Sequence, residues 1–474
     1  MNPNLDQQKN IVYPSRGRVV VNSSDPLSKP IIKNDTQNDS SDDLLNRSTN
    51  MFGMSGLSNF GNTCYMNSAL QVISHTYLLR HYLFTNEDFI KQILLTNAPK
   101  IYRTENKLPK DLNEKINSKK YDPSELSDSE RDILLNGTMT FQIIRLLCKM
   151  WEENKTITPL SFKTIFTRNS SFYGYEQQDA QEAYSCIIEK MQEELAEKKD
   201  IRFKTNRKDV DELLEIRSKT IKMIESIEDP VLKKKYVEKY IETKDKYPEA
   251  TVILESYREM KKYYGSSYSR ITEIFSGFLH STTTCPGCKN VNHKFDYYLH
   301  LPLEIPSEKY INDDDPQINI YDCFNYFCKK EVLDENNMWQ CDGCSEKVRA
   351  VKQLRLWANP RILVIQLKRF GYDRRKNNTI VNFPIKDLDI SQFISSENIA
   401  DDKCYKYNLY SVINHSGGLQ SGHYNTYCKN ESTGIWINFD DDNVIPFKKN
   451  VPVETFLVSK NTYLLFYVRK DMLK

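Results

Sequence analysis

No stretch of this chain is long and apolar enough to cross a bilayer. Its strongest apolar run, Arg361-Ile362-Leu363-Val364-Ile365-Gln366-Leu367, has the length of one buried strand. The N-terminus, Met1-Asn2-Pro3-Asn4-Leu5-Asp6, lacks the basic flank and apolar core of a secretory signal. Charge of one sign is missing too: 66 Lys+Arg stand against 64 Asp+Glu, a formal net charge of +2. That balance gives no general electrostatic grip on nucleic acid or on an anionic membrane, so neither is expected as a partner. The 11 cysteines are an odd number in a long chain without an export signal. They point to an intracellular, reducing compartment (cytoplasmic, nuclear or both) and to thiols used for metal or catalysis rather than for disulfides. No internal repeat is visible.

What is present suffices for a sizeable core. The chain has 474 residues, 39% hydrophobic and 27% charged, with a mean hydropathy of −0.63. This describes a soluble protein of two or three sub-domains that carries polar insertions. Residues 1–50 are polar and rich in Asn, Ser and Asp, and they bury too little apolar surface to offset chain entropy. A disordered tail is expected there.

Gly56-Leu57-Ser58-Asn59-Phe60-Gly61-Asn62-Thr63-Cys64 is a Gly/Asn-rich loop, after which Met66, Leu70, Ile73 and Tyr77 recur at helical spacing. Cys64 is therefore expected at or near a helix N-terminus, where unpaired N–H groups and the dipole favour an anion. That placement lowers a thiol's pKa and makes a nucleophile. A buried Cys acting as a small hydrophobe fits the loop equally well.

Further helical stretches follow at Asp88–Leu95 and around Phe141, Ile144, Leu147 and Trp151, with a polar surface loop expected over Arg103–Arg131. Gly174–Tyr184 opens another helix with Gln177, Gln178 and Asp179 at its N-terminus and a core stripe of Ala183, Ile187, Ile188 and Met191. Residues 192–262 read as a charged helical hairpin broken at Pro230, its charges forming a solvated face, with a binding arm as the sharper alternative. From Ile271 the texture is strand-like. Helices first and strands second make an α+β fold with a cleft between the halves.

Cys285-Pro286-Gly287-Cys288 and Cys341-Asp342-Gly343-Cys344 have the spacing of two metal knuckles. Together they supply a closed tetrahedral Cys₄ set, which suits one structural zinc ion and leaves no position open for a substrate. Near the C-terminus, His415–Cys428 reads as a strand, a Gly-rich turn and a second strand opening with His423. Antiparallel pairing with Trp436–Val444 would bring Asp440 beside His423. A Cys nucleophile, a His base and an acid that orients the imidazole constitute the arrangement of cysteine acyl-transfer enzymes.

Seven stretches taken in order resemble one family. They are Gly56–Gln71, Tyr175–Glu182, the two knuckles, Gln366-Leu367-Lys368-Arg369-Phe370, His415–Tyr424 and Trp436–Val444. Over roughly residues 54–468 the chain resembles the ubiquitin-specific proteases, the papain-like cysteine proteases that remove ubiquitin from proteins. The resemblance implies a right-hand architecture with a helical thumb (54–262, including the insertion 192–262), zinc-bearing fingers (263–350) and a β-rich palm (351–468). It implies Cys64 as nucleophile, His423 as general base, Asp440 as third member with Asp441 able to share that role, and Asn59 as oxyanion donor. Gln178, Asp179 and Tyr424 match positions lining the channel for ubiquitin's Gly-Gly tail, where Asp179 would pair with an arginine of that tail. Ubiquitin and its conjugates are the implied partners, a monomer the expected state, and no catalytic cofactor is needed. Three other readings stay open: a catalytically silent ubiquitin-binding scaffold, a zinc-ribbon nucleic-acid module, and a protease for a ubiquitin-like modifier.

Overall fold

The computed structural model describes residues 52–473 apart from 104–107, 175, 204–206, 308–317, 372–374, 399–403, 419–420 and 449–450. The tail of residues 1–50 lies outside the described residues. Helices run from Cys64–His75 to Arg270–Phe275, and the first strand is Gly277–Thr284. This is the expected α+β order, although Ile271 falls in the last of those helices rather than in a strand. Among the described residues no helix is long and apolar enough to cross a membrane.

The palm is an eight-stranded sheet. Side by side run Asn443–Pro446, Trp436–Asp440, Gly422–Lys429, Lys406–Gly417, Thr462–Arg469, Ile362–Lys368 and Leu301–Glu304, with Leu388–Asp389 paired to the start of Lys406–Gly417. Period-2 alternation divides the central strands between two cores. Ile362, Val364, Leu464 and Phe466 point into a cluster shared with the thumb helices. Leu363, Ile365, Leu367, Leu465 and Tyr467 point into a second cluster on the opposite face, with Ile320 and Phe324. A sheet covered on both faces needs apolar residues at consecutive positions, which explains the unbroken run from Ile362 to Ile365. Each such side chain contributes about 1.5–3 kcal/mol on burial.

The Cys64–His75 helix is buried at all 12 positions. It lies between the Ala180–Glu194 helix of the thumb and the Gly422–Lys429 strand of the palm. Polar residues on such a helix must find partners inside the protein. Asn67 Nδ2 donates to the carbonyl of Leu57 (3.2 Å), Gln71 Nε2 to that of Ser55 (2.8 Å), and Trp151 Nε1 to Ser74 Oγ (2.8 Å). The polar face of this helix therefore grips the loop that precedes it.

Three sequence expectations change. Arg103–Arg131 is not simply a surface loop: Lys110–Ile116 is a helix that buries Leu112 and Ile116, and Asp128–Asn136 follows with a Ser127/Glu130 capping box. The Ser-x-x-Glu spacing is the signal that marks this second helix. The charged insertion is three helices, Lys208–Ser226, Pro230–Lys244 and Pro248–Ser267. Pro230 does mark the break, as the first residue of a helix capped by Asp229. The third helix packs on the finger sheet, where Ile253, Tyr257, Met260 and Tyr264 join Phe278, Phe295 and Trp357 in one core. Finally, Val351–Ala358 pairs with Gly277–Thr284, so the finger sheet extends past residue 350 to Ala358.

Candidate active site

Cys64 is the first residue of its helix, after Thr63. The loop before it is braced by Asn59, whose Oδ1 accepts from the N–H of Gly61 (3.3 Å), the N–H of Thr63 (3.1 Å) and the Thr63 hydroxyl (3.3 Å). The same loop is tied to the palm through Asp441. The N–H of Leu57 donates to the Asp441 carbonyl at 2.9 Å, while Asn59 Nδ2 and Asn67 Nδ2 each donate to one carboxylate oxygen at 2.8 Å. The two chain segments cross closely at this point, because a Cβ on Gly56 would come within 2.7 Å of the Asp442 carbonyl oxygen. Asp441 has φ 53, a left-handed turn conformation that turns its carboxylate toward the loop.

His423 opens the strand Gly422–Lys429. Thr426 pairs with Phe439, so Asp440 falls opposite Asn425, and His423 is two residues away on the same face. His423 Nε2 lies 2.5 Å from Asp440 Oδ1. Nδ1 is then the ring nitrogen available to exchange a proton with a nucleophile. The backbone N–H of the next residue, Tyr424, faces the Cys64 thiol closely enough to pull its pKa down. Cys64, His423, Asp440 and Asn59 are thereby gathered at one seam between thumb and palm.

The state of the thiol departs from the sequence expectation. Burial raises the Cys64 pKa above its ordinary value, and the Asp441 carboxylate adds to the rise. The N–H groups of Tyr424, Tyr65 and Cys64 itself pull the other way without cancelling it. The donors expected at a helix N-terminus are present, but desolvation outweighs them. Ionising this thiol requires a base to take its proton.

Of the residues matched to the tail channel, Gln178 is half-buried beside the helix start. Asp179 caps that helix: Oδ1 accepts from the N–H of Gln181 at 2.6 Å and of Glu182 at 3.3 Å. Its Oδ2 accepts the Tyr463 hydroxyl at 2.6 Å. An arginine ligand would have to use the lone pairs left outside these bonds. Tyr424 is 6% exposed, with its hydroxyl beside the N–H of Ala180 at the same helix start. Sequence reasoning placed Gln177 at the helix start but gave it no part in the site. Its side-chain amide makes paired bonds with Gly422, 2.7 Å from the Gly422 N–H and 2.6 Å to the Gly422 carbonyl, and so fastens thumb to palm one residue before His423. A Cβ on Gly422 would run into the His415 ring, so this strand can start only with glycine. Gln177 lies in the Tyr175–Glu182 stretch, but nothing local names its partner, and Tyr463 carries no local signal, since both partners lie hundreds of residues away.

Away from the cleft, Cys285, Cys288, Cys341 and Cys344 place their sulfur atoms within 4.8 Å of one another, a set able to hold a metal ion. All 11 cysteines are free of disulfides. The two knuckles are the same turn made twice. Cys285 and Cys341 donate N–H to the carbonyls of Asn290 and Glu346 at 2.9 Å, and left-handed residues follow each second cysteine, Lys289 (φ 64) and Ser345 (φ 59).

A family model described as ubiquitin carboxyl-terminal hydrolase matches residues 55–467. A probable ubiquitin carboxyl-terminal hydrolase of Acanthamoeba polyphaga mimivirus is 45% identical over 443 residues, covering 90% of this chain and 93% of that one. Ubiquitin carboxyl-terminal hydrolase 2 of Homo sapiens is 30% identical over 421 residues, 88% of this chain, and this chain spans 55% of its length. Among solved structures, the yeast SAGA DUB module is similar with a TM-score of 0.53 at 22% identity, covering 89% of this chain and 70% of that one. A SAGA DUB module bound to monoubiquitin gives 0.52 at 20% identity, covering 90% and 73%. These structural likenesses show a shared fold. With the family model matched across the whole helical and β-rich body, this chain belongs to the ubiquitin carboxyl-terminal hydrolase family.

Proposed function

We propose that this protein is a thiol-dependent deubiquitinating hydrolase that cleaves the peptide or isopeptide bond after the C-terminal glycine of ubiquitin. The observation that carries the reading is the His423–Asp440 pair at 2.5 Å, beginning a strand whose next N–H meets the Cys64 thiol. In the reaction, His423 takes the Cys64 proton and the thiolate attacks the glycyl carbonyl carbon. His423 then gives that proton to the leaving amine, and water attacks the thioester with His423 again as base. Asp440 holds the imidazole in one orientation and stabilises its charged form. The oxyanion faces the N–H groups at the start of the Cys64 helix and the second hydrogen of the Asn59 amide, whose first is committed to Asp441. Gln178, Asp179 and Tyr424 would flank the incoming Gly-Gly tail, and a zinc ion in the four-cysteine set would hold the fingers that grip the body of ubiquitin.

Covalent labelling tests the whole reading. Ubiquitin carrying a C-terminal electrophile should form a stable one-to-one adduct at Cys64, located by peptide mass. Absence of that adduct under conditions that label a known cysteine deubiquitinase would overturn the assignment, and an adduct only with a ubiquitin-like modifier would redirect it.

Asn59→Ala separates an oxyanion donor from a loop brace. As a donor it should lower kcat by about 10²–10³ with KM nearly unchanged. A loss confined to thermal stability, with kcat of the remaining folded enzyme unaltered, would leave Asn59 only its role in holding the loop.

A further inference from the structure

The helix and the strand that bring Cys64 and His423 together also meet at their far ends. The Cys64 helix finishes at His75 and the His423 strand at Lys429. Both terminal residues line a single cavity of about 200 Å³, about 16 Å along the helix from Cys64. The body of this cavity is apolar, formed by Leu78, Ile362, Ile385, Leu409, Tyr410 and Val468. Two lysines, Lys386 and Lys429, line it as well. One acid, Glu431, also lines the cavity, its charge offset by the ion pair with Arg80, whose guanidinium lies 3.5 Å over the Trp151 ring; nearby Asp387 is paired with Lys470 at 2.5 Å. Burial and the neighbouring Lys386 both hold the Lys429 ammonium below its ordinary pKa. His75 is 2% exposed and kept neutral by burial, so it adds no competing charge.

A half-open, largely apolar pocket with charged groups at its rim is a common form of small-ligand site. An apolar cavity of about 150 Å³ accepts benzene, so this one takes a medium-length alkyl chain whose end reaches the lysines. We propose that the cavity binds a small amphipathic carboxylate, its chain packed among Leu78, Leu409 and Val468 and its head group between Lys386 and Lys429. The ligand would touch the last residue of the nucleophile's helix and the last residue of the base's strand. Resting on the proposed hydrolase activity, occupancy is expected to alter turnover rather than ubiquitin affinity.

Decanoate, kept below its micelle concentration, is a suitable probe, titrated calorimetrically into the full chain beside decyltrimethylammonium as the matched cation. Saturable one-to-one binding of decanoate, about tenfold or more tighter than the cation, is expected. Lys386→Gln with Lys429→Gln should weaken decanoate about tenfold while the melting temperature holds. Equal affinity for anion and cation, undiminished binding by the double variant, or no saturable binding each overturns the site. In the reporter assay, saturating decanoate should change kcat by about twofold or more with KM steady. Purely competitive inhibition would place the probe in the cleft and defeat the proposal. The calorimetric result does not depend on catalysis, so a failure of the hydrolase reading would be seen separately.

Discussion

Cys64→Ala is expected to lower kcat/KM on a ubiquitin C-terminal reporter by on the order of 10⁴–10⁶, the usual loss when the nucleophile of such a unit is removed. That is about 5–8 kcal/mol of transition-state stabilisation. The fold should survive the change. Cys64 is 2% exposed at the first position of a helix, alanine is a good helix former, and the substitution deprives the Tyr424 N–H only of a weak sulfur acceptor. Ubiquitin binding by the variant should therefore remain close to that of the unmodified chain. His423→Ala should cost a similar factor, and the double variant no more than either alone, because the two groups act in one proton transfer. Losses that multiply would mean that thiol and imidazole do not work together. A catalytically silent scaffold behaves differently: it would show no reporter turnover for the substitution to remove. Undiminished turnover in Cys64→Ala would place the nucleophile elsewhere and sink the mechanism.

The parts of this site that were legible in the sequence are those written locally. Loop-to-helix texture around Cys64, a Gly-rich turn before His423, and strand pairing that sets Asp440 beside it are all short-range patterns. So are the two Cys-x-x-Cys knuckles, whose turns repeat residue for residue. The unbroken apolar run in Ile362–Lys368 identified a buried strand because neighbouring positions feed two different cores. What the sequence hid is long-range or a balance of opposing effects. Tyr463 on Asp179 and Gln177 on Gly422 join residues separated by 284 and 245 positions. The Cys64 thiol pKa is set by desolvation against hydrogen bonding, and only packing decides which is larger. The charged insertion misled for a related reason. Its first two helices carry exposed Ile221, Val231, Leu232 and Ile241, as a solvated hairpin does, yet the third buries Ile253 and Met260 against the fingers. Charge density announces a polar face and is silent about what lies beneath it.

Removing metal from the four-cysteine set is expected to unfold the tip of the fingers while leaving the thumb and palm intact. Around zinc, Zn–S bonds of about 2.3 Å in a tetrahedron set the sulfur atoms about 3.8 Å apart. The Cys288–Cys341 and Cys285–Cys344 sulfur pairs already stand at 3.5 and 3.9 Å. Although burial opposes it, the N–H groups of Cys344 and Gly343 and the neighbouring thiols lower the Cys341 pKa, while the same thiol contacts raise those of Cys288 and Cys344, so the set favours one thiolate and a metal would have to displace the remaining protons. Little else holds this region. The second knuckle is closed by a ladder of two-residue strands, Trp339–Gln340 with Lys347–Val348, far below what stands alone in water. The core under the finger sheet reaches Phe278 and Phe295, but Thr282–Thr284 and Val291–Lys294 beyond it are half-buried or exposed. A structural zinc contributes about 10–16 kcal/mol of apparent binding free energy to folding, more than any contact available there. Purified protein should carry one zinc per chain, and Cys341→Ser or a strong chelator should bring this to zero. Amide exchange over residues 331–350 should then accelerate toward the unprotected rate, with Ile362–Lys368 still slow. Cys323→Ser is the control, because Cys323 is fully buried but outside the set, and it should keep its zinc. Since the fingers would grip ubiquitin's body, loss of zinc should raise KM more than it lowers kcat. Natively purified protein that contains no zinc yet protects residues 331–350 from exchange would show that the four thiols are held together without metal.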